Sequence, residues 1–283
     1  MREKVTCIVG AKNAENDIDH CLESVKWADE IIVIDDFSAD RTLEIAREYT
    51  DKVFQKKMDG YPEQIGFAVN KASNRWVLVL DADERVTPQL KNEILKILSS
   101  PITVSGFLLR RLNNFEGRQI KHCGWYEKDN LRLFNKEEAI YDFRLKYLVT
   151  MHISGLLGTL DNDLVHYTCR SLYDYFKRIN LWSSLNAEDL LSKGVHINYF
   201  NSAYYLLLKP CAVFFIKYFL KAGYMDGFPG FLICSLSGIT YFLSYMKLWI
   251  RQGSEKDKTA RKIIWRNDPI LANKIIYTEK ELS

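Results

Sequence analysis

The sequence predicts an α/β fold with a largely parallel central sheet. Three observations carry this: β-rich runs alternate with helix-periodic segments over residues 5–100, two of those runs end in acidic clusters, and the chain beyond residue 171 turns helical. Residues 5–9, 30–34, 52–55 and 76–80 read as strands. Between them, Ile18, Cys21, Leu22 and Val25 share one helical face, as do Leu43, Ile45 and Ala46, and then Ile94, Leu95 and Leu98. Alternation of this kind places helices on both faces of the sheet, and such a sheet gathers ligands at the carboxyl edge of its strands. The run 31–34 leads into Asp35-Asp36-Phe37-Ser38-Ala39-Asp40, and the run 77–80 into Asp81-Ala82-Asp83-Glu84. One cluster alone reads equally well as a solvated loop or a cap, with Ser38 and Asp40 capping the next helix. Two clusters on one edge crowd carboxylates together, which is unfavourable unless a cation or a ligand's hydroxyls occupy the space. Beyond residue 105, strand-like runs at 106–112 and 130–134 with an Asn113-Asn114 turn signal predict a mixed second half of the sheet.

Composition narrows the class. A chain of 283 residues with 47% hydrophobic and 13% aromatic side chains can bury a sizeable core. Residues 1–170 carry 24 basic and 27 acidic side chains against 15 and 9 in the rest, so a front part of −3 precedes a rear part of +6. That division suits a divalent metal in the first part and an anionic lipid surface under the second. Nucleic acid is the competing partner for a basic tail, but no recognised nucleic-acid motif accompanies it. The six cysteines (Cys7, Cys21, Cys123, Cys169, Cys211 and Cys234) form no CxxC pair and read as reduced thiols of a cytosolic protein. The N-terminus enters its first strand without a signal peptide's apolar core or cleavage site. Gly10-Ala11-Lys12-Asn13 lacks the glycine spacing of a dinucleotide-binding turn.

Several segments together resemble the family 2 glycosyltransferases. They are Lys12-Asn13, the run from Trp27 to Asp35, Ser38 and Asp40, Gln64, the run from Trp76 to Arg85, Gly124-Trp125, Arg132-Leu133-Phe134, His166-Tyr167, Arg170-Ser171-Leu172, and the aromatic stretch around Gly223 and Gly230. The branch most similar is the lipopolysaccharide-core β-glucosyltransferase type, and the resemblance spans roughly residues 5–250. It implies a GT-A fold over residues 1–170, a helical membrane-interface or dimerisation region over 171–250 and a charged tail over 251–283. It further implies a nucleotide-diphosphate sugar lying across the carboxyl edge. Asp35 would take the nucleobase or ribose, with Lys12, Asn13, Asp36, Asp40 and Gln64 in the same donor site. Asp81 and Asp83 form a DxD holding Mg²⁺ or Mn²⁺ against the diphosphate, which neutralises charge as the sugar departs. His166 falls at a third metal-ligand position and reads equally as a hydrogen-bonded core histidine. Arg132 is a diphosphate or acceptor contact, or else a surface arginine on a strand.

The sequence also departs from the pattern. Relatives of this type carry a His-Glu pair between the Arg-Leu-Phe and His-Tyr segments, and here no Glu follows His152. An inverting transfer needs a carboxylate to take the acceptor's proton. Asp142 and Asp161 are the nearest candidates, with Asp142 preferred. Ile65 and Gly66 stand where relatives place a basic residue and an Asn. A lipid-linked saccharide is the expected acceptor. A synthase acting on polyprenyl phosphate and a non-catalytic nucleotide-sugar binder are the alternatives.

Residues 227–246 form a 20-residue run without a charge, the length of a bilayer core. At helical period the run is two-faced: Gly230, Cys234, Ser237, Gly238, Tyr241, Ser244 and Tyr245 on one side, and Phe231, Leu232, Leu236, Ile239, Phe242, Leu243 and Met246 on the other. Lys209, Lys217, Lys221, Lys247 and Arg251 flank the apolar stretches. Helices lying in the interface on the cytoplasmic side are the expectation. A single span, and a helical pair packed on the catalytic domain or on a second subunit of a homodimer, are the other readings.

Overall fold

The computed structural model describes residues 2–57, 61–141, 151–169 and 171–256. Two compact units emerge, one of residues 1–121 and 125–168, the other of residues 122–124 and the chain from Cys169 onward. In the first unit, β1 (Val5–Ala11), α1 (Ile18–Val25), β2 (Glu30–Asp35), α2 (Thr42–Arg47), β3 (Val53–Gln55), α3 (Tyr61–Lys71) and β4 (Trp76–Asp81) alternate as the sequence predicts. They are followed by β5 (Glu84–Val86), α4 (Pro88–Leu98), β6 (Gly106–Phe115), β7 (Arg118–Ile120) and β8 (Lys128–Asn135). Short strands β9 (Ala139–Tyr141), β10 (Met151–Ile153) and β11 (Leu157–Thr159) precede β12 (Leu164–Cys169).

Among the described residues ten strands make one sheet, ordered β3-β2-β1-β4-β8-β6-β12-β5, with β7 and β11 on β6. The first four strands are parallel, and β8 turns the sheet antiparallel at β4, giving the mixed second half. The central strands are apolar on both faces because both are covered. On one side Val5, Cys7, Val9, Leu78 and Leu80 meet Ile18, Leu22, Leu90 and Ile94. On the other, Ile8, Ile32, Ile34, Val77 and Val79 meet Ile65, Ala68 and Val69. Thr87 starts α4 by accepting the Leu90 N–H at 3.1 Å, with Pro88 in the first turn where its missing N–H costs nothing.

Glu30, at the start of β2, is held by Lys52, the Thr6 hydroxyl, and the Ser73 N–H at 2.7 Å. Burial opposes the charge, but these bonds outweigh it and pull its pKa down to about 2. A depressed carboxyl stabilises the fold above its unfolded pKa and stops doing so as pH falls through the folded value. Glu30→Gln is therefore expected to be less stable than the parent at pH 6, with the gap closing between pH 4.5 and about 2. Urea midpoints measured across that range check it; a gap that does not change with pH would refute the assignment.

One expectation fails here for a physical reason. Asn113-Asn114 lies inside β6, and the chain turns instead at Glu116 and Gly117, both at positive φ (47° and 79°). The Asn113 amide is engaged by the His166 ring of β12 and by the Trp125 and Arg111 carbonyls, a use invisible in local sequence.

The second unit contains α5 (Leu172–Ser192), α6 (Lys209–Phe215) flanked by π-helical Tyr204–Leu208 and Ile216–Leu220, and α7 (Gly227–Lys256). Ser171 caps α5 by accepting the Asp174 N–H at 3.2 Å. The stretch Gly223–Gly253 is long and apolar enough to cross a membrane by length and composition, with mean hydropathy 1.3. Gly230, Cys234, Gly238, Ser244 and Tyr245 face inward, while Phe231 and Ile239 are exposed. Leu236 is buried and Tyr241 exposed, against the predicted division. α7 continues through Lys256, past the expected start of the tail, with Arg251 and Gln252 buried. The described thiols Cys7, Cys21, Cys123, Cys211 and Cys234 are free.

Candidate active site

The register of three strands brings the two acidic clusters together. β1 lies between β2 and β4, with Ala11 opposite Asp35 and Gly10 opposite Asp81. The N–H groups of Asp36 and Ala82 both donate to carbonyls at the end of β1, those of Ala11 and Gly10, each at 2.9 Å. Both clusters therefore open on one sheet edge, two strand spacings or roughly 10 Å apart.

The first cluster is stitched to the loop after β1. Asp35 is fully buried, and its carboxylate accepts the Ser38 N–H at 2.9 Å, the Ser38 hydroxyl, and the Gln55 amide at 3.1 Å. Lys12 reaches Asp36 at 2.6 Å. Asn13, at φ 47°, donates its N–H to the Ser38 hydroxyl and accepts the Ala39 N–H. Asp40 accepts the N–H groups of Glu15 and Thr42 and the Thr42 hydroxyl. Burial opposes its ionisation, but these bonds win and lower its pKa. Asp40 thus ties the entry of α2 to the segment after β1, one residue before the N-cap Arg41, whose own side chain makes no capping bond. Gln64 is buried in α3, its amide 3.4 Å from the Lys56 carbonyl. Phe37 is an aromatic that sequence reasoning passed over: it stands 60% exposed beside Asp35, with φ at 49°.

The second cluster is built across four strands. Asp81 accepts Arg132 Nη2 at 3.0 Å, and the same nitrogen donates to Glu84 at 2.6 Å. Glu84, fully buried, also accepts the Asp81 N–H at 2.9 Å and lies 3.5 Å from Arg111. Burial pushes the Glu84 carboxyl up, opposed by the Arg132 guanidinium. The side chain of Arg132 is only 9% exposed, which rules out the surface-arginine reading.

β5 pairs with β12 so that Glu84 faces His166, and the Tyr167 N–H donates to the Asp83 carbonyl at 2.9 Å. His166 Nε2 then lies 3.4 Å from Asp83 Oδ2. The Asn113 amide donates to the carbonyls of Trp125 and Arg111, leaving its Oδ1 to accept from His166 Nδ1 at 2.6 Å. With the amide in that orientation Nδ1 is the donor of this bond, which leaves Nε2 as the ring atom facing the Asp83 carboxylate. Nitrogen and oxygen donors so placed fit a divalent cation between them. Among the described residues no group of three or more His, Cys, Asp or Glu side chains is arranged to hold a metal. Any cation there takes its remaining ligands from elsewhere. Sequence reasoning missed Glu84, Arg111 and Asn113. The available signal for Arg111 and Asn113 was their spacing of two in a strand-like run, which places both on one face.

The two base candidates fare differently. Asp161 is a surface residue, 83% exposed and paired with Lys128 at 2.8 Å, and that bond lowers its pKa. A carboxylate so stabilised is a poorer proton acceptor. Asp142 lies outside the described residues.

A model of the family described as glycosyl transferase family 2 matches residues 6–160, more than half of the chain. The chain belongs to glycosyl transferase family 2. An uncharacterized glycosyltransferase of Rickettsia typhi is 29% identical to it over 87% of each chain. The lipopolysaccharide core biosynthesis glycosyltransferase LpsC of Rhizobium meliloti is 24% identical, covering 84% of this chain and 89% of that one. Among solved structures, a mannosyltransferase from Pyrobaculum calidifontis, in complex with GDP-Man and Mn²⁺, matches with a TM-score of 0.52 at 15% identity, over 88% of this chain and 87% of that one. The first unit of this glycosyltransferase therefore has a GT-A-like fold, with its two acidic clusters on one edge of the sheet.

Proposed function

We propose that this family 2 glycosyltransferase moves a hexosyl group from a nucleotide-diphosphate sugar to a hydroxyl of a lipid-linked saccharide, with inversion, at the cytoplasmic face of a membrane. The observation that carries the reading is the meeting of the two acidic clusters at the end of β1, with His166 aimed at Asp83. The likeness to a lipopolysaccharide-core enzyme supports the saccharide acceptor.

Asp83 and His166 would hold Mg²⁺ or Mn²⁺, which when bound neutralises the charge left on the departing diphosphate. Asp81, already opposite Arg132, completes the DxD as the partner of that guanidinium. The loops crosslinked through Asn13, Ser38 and Asp35 form a preorganised floor for the nucleoside, with Lys12 and Asp36 at its rim. The acceptor oxygen attacks the anomeric carbon, the carbon–oxygen bond to the diphosphate breaks with its electron pair leaving on phosphate, and the hydroxyl proton passes to a carboxylate. Asp142 is the residue to test as that base.

Incubation with labelled nucleotide sugars, Mn²⁺, and either core oligosaccharide lipid or polyprenyl phosphate tests the proposal. Label in the oligosaccharide lipid is expected. Label only in polyprenyl phosphate would replace this reading with a synthase, and nucleotide binding without transfer to either would leave a non-catalytic binder.

Asn113 acts on the cation site through His166, so it is a positioning residue. Asn113→Ala is expected to raise the half-saturating Mn²⁺ concentration about 10–100-fold. Asn113→Asp keeps an acceptor for Nδ1 but turns a carboxylate oxygen toward the Trp125 and Arg111 carbonyls, so its Mn²⁺ dependence should stay closer to the parent than that of alanine while its stability falls. Equal Mn²⁺ dependence in the alanine variant and the parent would remove His166 from the site.

A further inference from the structure

The second unit is built inside out. Along the helix formed by the π segment Tyr204–Leu208, α6 and the π segment Ile216–Leu220, exposed positions recur in pairs every four residues, from 203–204 to 219–220. The large aliphatic and phenylalanine members of that stripe are Leu207, Leu208, Phe215, Ile216, Phe219 and Leu220, each between 47% and 79% exposed. Spacing of four overshoots an α-helical turn by about 40° each time, so four steps would carry the stripe about 160° around the helix. The wider π turns take up that drift and hold the stripe on one side.

The cations are turned off this face. Lys209 lies over the rings of Tyr204, Tyr205 and Tyr245 at 5.2, 4.9 and 5.7 Å, and Lys217 donates to the Cys123 carbonyl at 3.1 Å. α7 repeats the inversion. Lys247 donates to Asn180, Ser183 and Ser184, and Arg251 is buried, while Phe228 and Trp249 stand 74% and 53% exposed. Its inward glycines sit against backbone: a Cβ on Gly238 would lie 3.0 Å from the Pro210 carbonyl oxygen. Small residues and paired cations inside with large apolar residues outside is the arrangement of helices solvated by lipid. A water-facing helix turns its lysines out and its phenylalanines in.

We propose that this stripe is the bilayer-docking surface, with helix 204–220 lying in the plane of an anionic membrane and Lys209, Lys217 and Lys221, each one position past a stripe pair, along its edge. The proposal rests on the reading above for the place of the acceptor, and on these contacts alone for the surface. Charge selects lipid over a second copy. Between Asp189 and Asp226 the chain has four lysines and no carboxylate, so two copies meeting here would oppose like charge, whereas an anionic headgroup layer complements it.

Flotation of the full chain with vesicles tests the surface. The parent is expected to bind phosphatidylglycerol-containing vesicles at least about tenfold more strongly than phosphatidylcholine vesicles. L208Q/F215Q/F219Q should lose binding about tenfold or more, while Leu156→Gln, an exposed apolar residue of the first unit, should not. Cys211, exposed on the stripe, gives a measurement that needs no substitution: a thiol-linked fluorophore there should be quenched by acyl-chain nitroxide lipids. Unchanged binding by the triple variant, or no quenching at Cys211, would overturn the proposal. So would a stable dimer, seen by light scattering, that the triple substitution dissolves without altering vesicle binding. Absence of sugar transfer with flotation intact would sink the proposed reaction and leave the surface standing.

Discussion

Asp83→Asn is expected to lower sugar transfer by about 10²–10³-fold while leaving the thermal midpoint of the metal-free protein nearly unchanged. Asparagine keeps the shape of the side chain and the backbone carbonyl that accepts the Tyr167 N–H, so the union of β5 and β12 survives. What is lost is the carboxylate charge 3.4 Å from His166 Nε2. Removing it also relieves repulsion among Asp81, Asp83 and Glu84, which offsets any lost pairing. A second readout separates a lost cation site from a lost proton shuttle. Mn²⁺ with a nucleoside diphosphate should raise the parent's thermal midpoint by binding only the folded state, and that rise should vanish in the variant. Asp40→Asn makes the contrast. Its carboxylate is committed to the N–H groups of Glu15 and Thr42, so the substitution should cost about 1 kcal/mol of stability and change transfer only a few-fold. Equal losses of transfer in both variants, with both folds intact, would refute this division between the acidic clusters.

That division was only half legible in the sequence. The parallel strands announced themselves because strands covered on both faces must be apolar throughout, and the runs ending at Asp35 and Asp81 are. Their shared edge followed from strand and helix in alternation. The clusters look alike as sequence, yet Asp40 is committed to backbone N–H groups at the entry of α2 and Asp83 faces a histidine, because the difference lies in partners contributed by β12 and β6. The pairing of Glu84 with His166 joins residues 82 positions apart, and no local periodicity encodes such a contact. Asn113 misled for the same reason: an amide that marks turns by its local bonding was instead used across the sheet. In α7 the two faces were readable from period alone, but not which face turns inward. That depends on the solvent the helix meets, and the inward choice of glycine, serine and lysine contacts is the structural result that sequence could not supply.

The largest effect on stability should come from Arg132. Its guanidinium is the principal counter-charge of a carboxylate that no water reaches: Nη2 lies 2.6 Å from Glu84, and Arg111 is farther at 3.5 Å. Arg132→Met fills similar space but leaves Glu84 buried without its nearest cation. The cost of an unpaired buried charge is about 3–5 kcal/mol, and the remaining Arg111 argues for the lower end. At that size the thermal midpoint falls by roughly 10 °C. Glu84→Gln alone offers one acceptor oxygen to two donors, the Asp81 N–H and Arg132, so it should cost about 1–2 kcal/mol, with Arg132 keeping Asp81 as a partner. In the double variant no buried charge is stranded, so about 2 kcal/mol of the Arg132→Met loss should return, a coupling that urea unfolding of the four proteins measures directly. Transfer should stay low in both Arg132 variants, because Asp81 has lost the group that orients it beside Asp83. Additive effects on stability, with no recovery in the double variant, would mean that Arg132 does not carry Glu84 and that the turn from Asp81 to Glu84 is held by its backbone alone.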